Sequence, residues 1–151
     1  MTKPISTKAH GMVDYGTAAM LLSTPLLLDT EGFGAEKIVP MSLGGMTLIA
    51  SLCTDYELGA MPLIDMKTHL ALDVMNGLLL AASPFLFGFS KKTWLPHVLM
   101  GLGEVATALM TETERGDKTG QPARRVGGRT KLEGYQPRSE RAGSRYVEGV
   151  H

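Results

Sequence analysis

The sequence predicts an all-α protein: a four-helix transmembrane bundle made of two repeated helical hairpins, followed by a disordered C-terminal tail. The first observation is an internal repeat, in which HGMVDYGTAAMLLSTPLLL at residues 10–28 aligns with HLALDVMNGLLLAASPFLF at residues 69–87. Five of the 21 positions compared from His10 onward are identical, and three of these are a histidine, an aspartate and a proline, which are rare inside apolar stretches. A duplicated apolar hairpin indicates a membrane bundle with internal two-fold symmetry.

Four apolar stretches are the second observation. Each approaches the ~20 residues that a helix needs to cross ~30 Å of hydrocarbon. The second stretch has no charged residue, and the others have one acid each, Asp14, Asp73 and Glu104. A soluble bundle would show a charged stripe on every helix, so this pattern favours helices embedded in lipid. The predicted spans are Met12–Leu28, Ile38–Thr54, His69–Phe89 and Thr93–Met110.

The third observation is that charge is segregated along the chain. Residues 1–114 hold 6 basic and 11 acidic residues, whereas residues 115–151 hold 9 basic and 4 acidic ones. The second segment is rich in Gly, Arg, Ser, Glu and Pro and has no helical or strand period, which predicts disorder. Its basic residues would either hold it to anionic lipid or stay solvated. Because no folded basic face is visible, we expect no nucleic-acid binding.

Prolines and glycines shape the predicted helices. Pro25 and Pro84 lie late in the first and third spans and should kink or end them, with Ser23 and Ser83 near the carbonyls that are freed. Small residues let helices approach closely in lipid. The glycines expected to do this are Gly16, Gly44, Gly45, Gly77, Gly101 and Gly103.

The distribution of Lys and Arg beside the spans favours a topology with both termini in the cytoplasm. An uncleaved first span makes this an integral membrane protein. The predicted division is a cytoplasmic N-terminal segment at 1–9, a transmembrane hairpin at 10–58, a cytoplasmic loop at 59–68, a second hairpin at 69–114 and a disordered basic cytoplasmic tail at 115–151.

The repeat duplicates a pair of polar side chains, His10 with Asp14 and His69 with Asp73. Each pair has i, i+4 spacing, so its members lie one turn apart on one helix face. A shared cluster across the two-fold axis could bind Zn²⁺ or Mn²⁺ or relay protons. Alternatively, each aspartate lies in a first turn, complements the helix dipole and has the histidine as its interfacial partner. The sequence leaves both interpretations open.

Glu104 is the most costly polar residue of the predicted spans. A carboxylate near mid-membrane costs about 2.5–3.5 kcal/mol, so it must be protonated, paired or facing a wet cavity. Candidate partners are His97 on the same helix face and Thr47 and Ser51 on the second span. Either a proton or cation pathway or a neutral interhelical hydrogen bond fits this residue. Asn76, which aligns with a threonine in the first repeat, is predicted to donate a hydrogen bond between helices.

The segment TDYELGAMPLIDMKTHLALDVMNGLLLAASPFLFGF resembles the SPW-repeat family of small bacterial membrane proteins. The repeat of that family carries a Ser-Pro-Trp triplet in the first of two transmembrane helices. Here the triplet reads Ser83-Pro84-Phe85 in the second copy and Ser23-Thr24-Pro25 in the first, so neither copy has the tryptophan. The resemblance covers about residues 10–114 and implies a membrane fold in the bacterial inner (plasma) membrane, without implying an activity.

The sequence contains no nucleophile elbow, phosphate loop, CxxC or HExxH motif. We therefore expect no enzyme activity, no catalytic residue and no cofactor, while the question of a metal at the His/Asp pairs stays open. The favoured function is a non-enzymatic structural or interaction component of the membrane. The alternative is a proton or cation carrier or channel that uses Glu104 and the duplicated pairs. The expected partners are the lipid bilayer and either further copies of the chain or a larger membrane complex.

Overall fold

The computed structural model describes residues 3–114, which form five α-helices and no β-strand. The all-α prediction is confirmed for this part of the chain, and the segment 115–151, predicted to be a tail, lies outside it. In order, the helices are α1 (Thr7–Leu22), α2 (Thr24–Leu27), α3 (Ala35–Leu52), α4 (Met66–Leu86) and α5 (Leu95–Met110).

Two helical hairpins make up the fold. Helix α1 packs against α3, and α4 packs against α5, so each repeat forms its own antiparallel pair. The hairpins meet mainly through α3 and α4, whereas α1 and α5 make little direct contact. This arrangement matches the two repeats predicted from the sequence, with α1 corresponding to α4 and α3 to α5.

The first helix of each repeat, α1 or α4, begins earlier than the apolar stretches suggest. The Ser6 hydroxyl accepts a hydrogen bond from the Ala9 amide at the start of α1, and the Asp65 carboxylate accepts one from the Thr68 amide at the start of α4. Such caps satisfy amides that have no partner within the helix, so they set where a helix begins. Asp14 consequently lies in the second turn, and the prediction that it occupies a first turn is wrong.

The late prolines interrupt or end their helices as predicted. Helix α1 ends at Leu22, and Pro25 lies in the first turn of the short helix α2. The Ser23 hydroxyl donates to the Ala19 carbonyl at 2.8 Å. In the second repeat Pro84 lies within the last turn of α4, and the preceding serine hydroxyl donates to the Leu80 carbonyl at 2.7 Å.

Glycines allow close contact at the crossing of each hairpin. A Cβ atom at Gly44 would lie 2.7 Å from the Cβ of Leu21, and one at Gly77 would lie 2.6 Å from the Gly101 carbonyl oxygen. A methyl group at Gly101 would in turn meet the backbone of α4. These three glycines confirm the close-contact prediction. The prediction is wrong for the others, because a Cβ would meet open space at Gly16, Gly45 and Gly103.

The distribution of side chains is inverted relative to a water-soluble bundle. Among the described residues, nine hydrophobic residues are buried, compared with fifteen polar or charged ones. Large apolar side chains instead cover the outside, including Leu26 at 88 % exposed and Met75 at 65 %. Within residues 3–114, α4 is the one helix both long and apolar enough to cross a membrane, and the 16-residue α5 is apolar but shorter.

Two short backbone pairings link the beginning of each repeat to the end of the other. The Ile5 amide donates to the Met110 carbonyl at 3.2 Å, and the Ile5 carbonyl accepts from the Glu112 amide at 2.8 Å. In the second repeat Ile64 occupies the equivalent place, where its carbonyl accepts from the Asp55 amide at 2.9 Å. The two pairings are related by the internal two-fold symmetry.

Candidate functional site

The two His/Asp pairs form one buried cluster at the end of the bundle where α1 and α4 begin. The Nε2 atom of His69 lies 2.8 Å from Oδ2 of Asp14, and that of His10 lies 3.0 Å from Oδ2 of Asp73. Within each helix the corresponding His–Asp separations are 3.3 and 3.2 Å. All four residues are buried, and their nearest nitrogen and oxygen atoms lie within 4.8 Å of one another. The shared cluster across the two-fold axis is therefore present.

A threonine just past the end of α3 or α5 orients each imidazole. Thr54 Oγ1 lies 2.9 Å from Nδ1 of His69, and Thr111 Oγ1 lies 2.9 Å from Nδ1 of His10. Each hydroxyl also donates its single proton to a backbone carbonyl at 2.6 Å, that of Ala50 or that of Thr107. The threonine oxygens must therefore accept a hydrogen bond from the imidazoles, which assigns the N–H of each neutral ring to Nδ1.

This tautomer decides what the cluster can bind. With Nδ1 protonated, each neutral ring presents the Nε2 lone pair to the aspartate oxygens. Lone pairs that face each other at 2.8–3.3 Å repel, so positive charge must lie between them. Two arrangements supply it and leave the cluster neutral: a proton on each Nε2, or one divalent metal ion held by two neutral imidazoles and two carboxylates.

The four His–Asp separations suit ligands that share one small ion. Ligands at the 2.0–2.1 Å distance usual for Zn²⁺ lie about 3.3 Å apart. The four His–Asp separations, 2.8, 3.0, 3.2 and 3.3 Å, are close to this value. Histidine ligands usually donate their second N–H to a fixed acceptor, which orients the ring and strengthens the donor nitrogen. The threonines provide that arrangement for both rings.

The two aspartates differ in their other contacts. Ser51 donates a hydrogen bond to Oδ2 of Asp14 at 3.0 Å. The position in α5 equivalent to Ser51 is Ala108, which has no hydroxyl to offer. Oδ1 of Asp73 is buried and has no hydrogen-bond partner among residues 3–114. The prediction that Ser51 partners Glu104 is therefore wrong, because the serine contacts an aspartate of the cluster instead.

Tyr56 covers the outer side of the cluster. Its ring stacks on the His69 ring with centroids 6.0 Å apart and an interplanar angle of 29°. The ring also fills the space that a Cβ would need at Gly11. Burial raises the pKa of the Tyr56 hydroxyl, so this side chain stays neutral and contributes no competing anion. The cluster is thereby shielded from bulk water on the side of the loop after α3.

A second polar layer lies one to two turns further into the bundle. Thr47 donates to Oε1 of Glu104 at 3.4 Å, and Nδ2 of Asn76 donates to Thr47 at 3.4 Å. The geometry agrees with the predictions that Thr47 partners Glu104 and that Asn76 donates between helices. Oε2 of Glu104 is buried without a partner among the described residues.

His97 lies at the other end of the bundle. Its Nε2 donates to the backbone carbonyl of Glu36 at 3.0 Å, and its ring packs on Phe89 with centroids 4.9 Å apart. The Glu36 carboxylate faces Lys92 at 3.4 Å. The prediction that His97 partners Glu104 is therefore wrong, because the first turn of α3 supplies a nearer acceptor.

Sequence reasoning did not identify the role of the two threonines. Thr54 and Thr111 lie at the same place in the two repeats, 57 residues apart. Their equivalence was visible in the sequence, but neither lies near a histidine along the chain. Each threonine contacts the histidine of the other hairpin, and this contact appears only once the helices are packed.

Comparison with known proteins identifies the family. Residues 8–111 match the family model described as SPW repeat domain, which is more than half of the chain. The chain belongs to the SPW repeat family, as the resemblance of its second repeat indicated. The matched range contains the His/Asp cluster and both threonine partners. No curated protein and no solved structure matched the chain.

Proposed function

We propose that this chain is a non-enzymatic integral protein of the bacterial inner membrane that holds one divalent transition-metal ion, such as Zn²⁺, between its two repeats. His10, Asp14, His69 and Asp73 supply the four ligand atoms. Four spans and cytoplasmic termini would place this cluster near the cytoplasmic end of the bundle. The bound ion would join the first hairpin to the second, which makes its role structural.

The inverted side-chain distribution supports the membrane location. Large apolar residues on all sides of the bundle, such as Leu86, Leu99 and Ile49, are more than 60 % exposed. Soluble monomers rarely expose continuous apolar surface of this extent. Polar groups concentrate in the interior, where they contact one another instead of lipid. Membership of a family of membrane proteins agrees with this location.

A single observation carries the metal proposal: the Nε2 lone pairs of two oriented histidines face two buried carboxylate oxygens. Nitrogen and oxygen donors of this kind suit Zn²⁺, with Mn²⁺ as a related candidate. A 2+ ion would offset the two carboxylate charges at a place where water is largely excluded. The geometry therefore accounts for two buried acids that would otherwise be expensive.

Ligand number supports a structural role over a catalytic one. Structural zinc sites are closed by four protein ligands, whereas catalytic sites keep a position for water or substrate. Here four protein atoms are available to one ion, and each ligand residue is 5 % exposed or less. A bound ion would have no free coordination position for chemistry.

Metal analysis of purified protein tests this proposal. The full chain, extracted in detergent and incubated with Zn²⁺, should retain one ion after exhaustive dialysis. His10→Ala and His69→Ala should each retain less than about a tenth of that amount, since loss of one ligand from a four-ligand site removes most of the affinity. His97→Gln is the matched control, because His97 is equally buried but lies outside the cluster, and it should bind as the unmodified protein does. Metal-free unmodified protein would overturn the proposal.

The second candidate function is a cation carrier that uses Glu104. The buried, unpartnered Oε2 of Glu104 supports it. Against it stands an apolar layer formed by Leu21, Leu43 and Leu80, which are buried together further along the bundle. A charged ion that crossed the membrane would have to pass this layer without a polar partner, so the structural role accounts for more of the geometry.

A further inference from the structure

An apolar pocket of about 90 Å³ lies at the end of the bundle opposite the His/Asp cluster, where all five helices contribute to its lining. The lining is apolar apart from Thr24 and His97, and it includes Leu21 and Leu80 of the apolar layer. A cavity of roughly 150 Å³ lined by apolar side chains can hold benzene, so this pocket suits about four carbon-sized atoms.

His97 brings one unpartnered polar atom to this pocket. Its Nε2 donates to the Glu36 carbonyl, its ring packs on Phe89, and the residue is 3 % exposed. Its Nδ1 is buried and has no hydrogen-bond partner among residues 3–114. A charged ring with a bare N–H in such apolar surroundings would be expensive, so the ring is neutral and Nδ1 presents a lone pair. A ligand that contacts Nδ1 must therefore donate a hydrogen bond.

Water matches this pocket poorly. A buried water molecule makes about two to four hydrogen bonds to the groups around it. The pocket offers Nδ1 of His97 and the Thr24 hydroxyl, which already donates its proton to the Leu21 carbonyl at 2.5 Å. A molecule with one O–H group and an apolar body places its donor on Nδ1 and buries carbon against the rest of the lining, as water cannot.

The position of His97 along the bundle matches the orientation of such a molecule in a bilayer. His97 lies in the first turn of α5, which is the non-cytoplasmic end of this span in the proposed topology. Met100 lies one turn deeper, roughly 4–5 Å along the helix. Leu80 lies deeper still, because it belongs to the apolar layer. A hydroxyl group at His97 with its chain toward Met100 and Leu80 has the polarity of an alcohol in the non-cytoplasmic leaflet.

We propose that the apolar pocket binds the hydroxyl end of a long-chain alcohol, with the O–H donating to Nδ1 of His97 and the first carbons packed on Met100 and Leu80. The rest of the chain lies against Met20 and Leu27, which line the pocket and are 51 % and 62 % exposed. This inference uses the proposed membrane location and is independent of the metal site.

Photolabelling of the full-length protein in phosphatidylcholine vesicles tests the pocket. The probe is 1-dodecanol with a diazirine on its fourth carbon, and the matched probe is the alkane with the same diazirine and no hydroxyl group. Mass spectrometry of the digested protein should place the label from the alcohol on pocket residues such as Leu80 and Met100. The alkane should label them about tenfold less, because one net hydrogen bond corresponds to about that factor.

Two variants and a control separate the hydrogen bond from the space. His97→Leu removes the acceptor and should lower pocket labelling by the alcohol about tenfold, to the level of the alkane. Met100→Phe narrows the pocket and should lower labelling by both probes. Leu102→Phe is its matched control, because Leu102 lies on the same helix, is 52 % exposed and does not line the pocket. Circular dichroism checks that each variant is folded.

Equal labelling of the pocket by the alcohol and the alkane would overturn the proposal, and the two probes decide this in the unmodified protein even if a variant fails to fold. Labelling that is unchanged in both folded His97→Leu and folded Met100→Phe would also overturn it. Unlabelled 1-dodecanol should compete with the probe, whereas ionised dodecanoate at pH 9 has no proton to donate to Nδ1 and should compete poorly. Stronger competition by dodecanoate would exclude an alcohol as the ligand. None of these outcomes depends on whether the His/Asp cluster binds metal.

Discussion

His69 lies closer to the aspartate of the other repeat than to its own. Its Nε2 atom is 2.8 Å from Oδ2 of Asp14 but 3.2 Å from Oδ2 of Asp73, one turn away on the same helix. The first repeat shows the same preference, with 3.0 Å across the axis and 3.3 Å within the helix. The pairs that the sequence displays as i, i+4 neighbours are thus joined more closely between hairpins than within them.

Removal of either threonine hydroxyl should weaken metal binding while leaving all four ligands in place. We expect Thr54→Val and Thr111→Val to lower the affinity for Zn²⁺ by about 10–100-fold, because each imidazole loses the acceptor that fixes its tautomer. Thr54→Ser keeps the hydroxyl and should bind nearly as tightly as the unmodified protein. Competition with a chelator of known affinity measures the effect. Equal affinities for the valine and serine variants would contradict the role given to these residues.

Metal binding should release protons and weaken as the pH falls. A metal ion at the cluster and protons compete for the same Nε2 and carboxylate lone pairs. The apparent affinity should therefore drop by up to about 100-fold per pH unit at acidic pH, where two protons compete with one ion. Isothermal titration calorimetry in buffers of different ionisation enthalpy counts the protons released. An affinity that does not change between about pH 5 and 8 would exclude this exchange.

Gly101→Ala should destabilise the second hairpin. The added methyl group would meet the backbone of α4 at Gly77, and overpacking of this kind costs about 1–3 kcal/mol. Gly103→Ala, two residues along the same helix, meets open space and should be neutral or stabilising by up to about 1 kcal/mol, since alanine favours helix more than glycine does. Unfolding of both variants in detergent, followed by circular dichroism, gives the comparison. If the two variants had equal stability, the close crossing of α4 and α5 would be in doubt.

Reporter fusions should show that successive loops of the chain lie on opposite sides of the membrane. A fusion at Met61, in the loop between the hairpins, should show cytoplasmic activity, and fusions at Asp29 and Lys92 should show activity outside the cytoplasm. This pattern follows from four spans and the distribution of Lys and Arg. Cytoplasmic activity at Asp29 or Lys92 would contradict the topology. Recovery of the well-folded chain in the aqueous fraction without detergent would contradict the membrane location altogether.

Proteoliposomes that contain the protein should not transport Zn²⁺. The layer of Leu21, Leu43 and Leu80 lies beyond the cluster along the bundle and offers no polar group to a passing ion. A fluorescent zinc indicator trapped inside the vesicles should respond no faster than in vesicles without protein. Flux that disappears in Glu104→Gln would favour the carrier function over the structural one.

The repeat and the helical class were readable from the sequence, and the shared cluster was one of two interpretations that the sequence left open. An i, i+4 histidine and aspartate on one helix face must point the same way, and duplication places a second pair across the symmetry axis. The helix starts could not be read from hydropathy, because Ser6 and Asp65 cap the helices ahead of the apolar residues. Hydropathy reports where lipid-compatible residues begin, whereas capping reports where the backbone becomes helical.

The partners of polar residues were predicted less well than the residues themselves. Ser51 and His97 were both reasonable partners for Glu104 on the basis of helix position, yet Ser51 contacts Asp14 and His97 contacts the Glu36 carbonyl. The rotation of each helix about its axis decides such contacts. A helix that is apolar on all sides has no distinct apolar face from which that rotation could be predicted. Thr47 was predicted correctly, since it donates to Oε1 of Glu104, and its position in α3 is equivalent to that of Glu104 in α5.

The exchange of threonine–histidine contacts between the two hairpins has a consequence for the ancestry of the molecule. Each hairpin contributes one imidazole, one carboxylate and a threonine, but its threonine serves the ring borne by its neighbour. A single hairpin translated alone would therefore contain every chemical component and still be unable to assemble a complete cage. Two identical copies could do so if each threonine contacted the histidine of the other copy. A symmetric homodimer of half-length chains is therefore the simplest precursor of the duplicated chain.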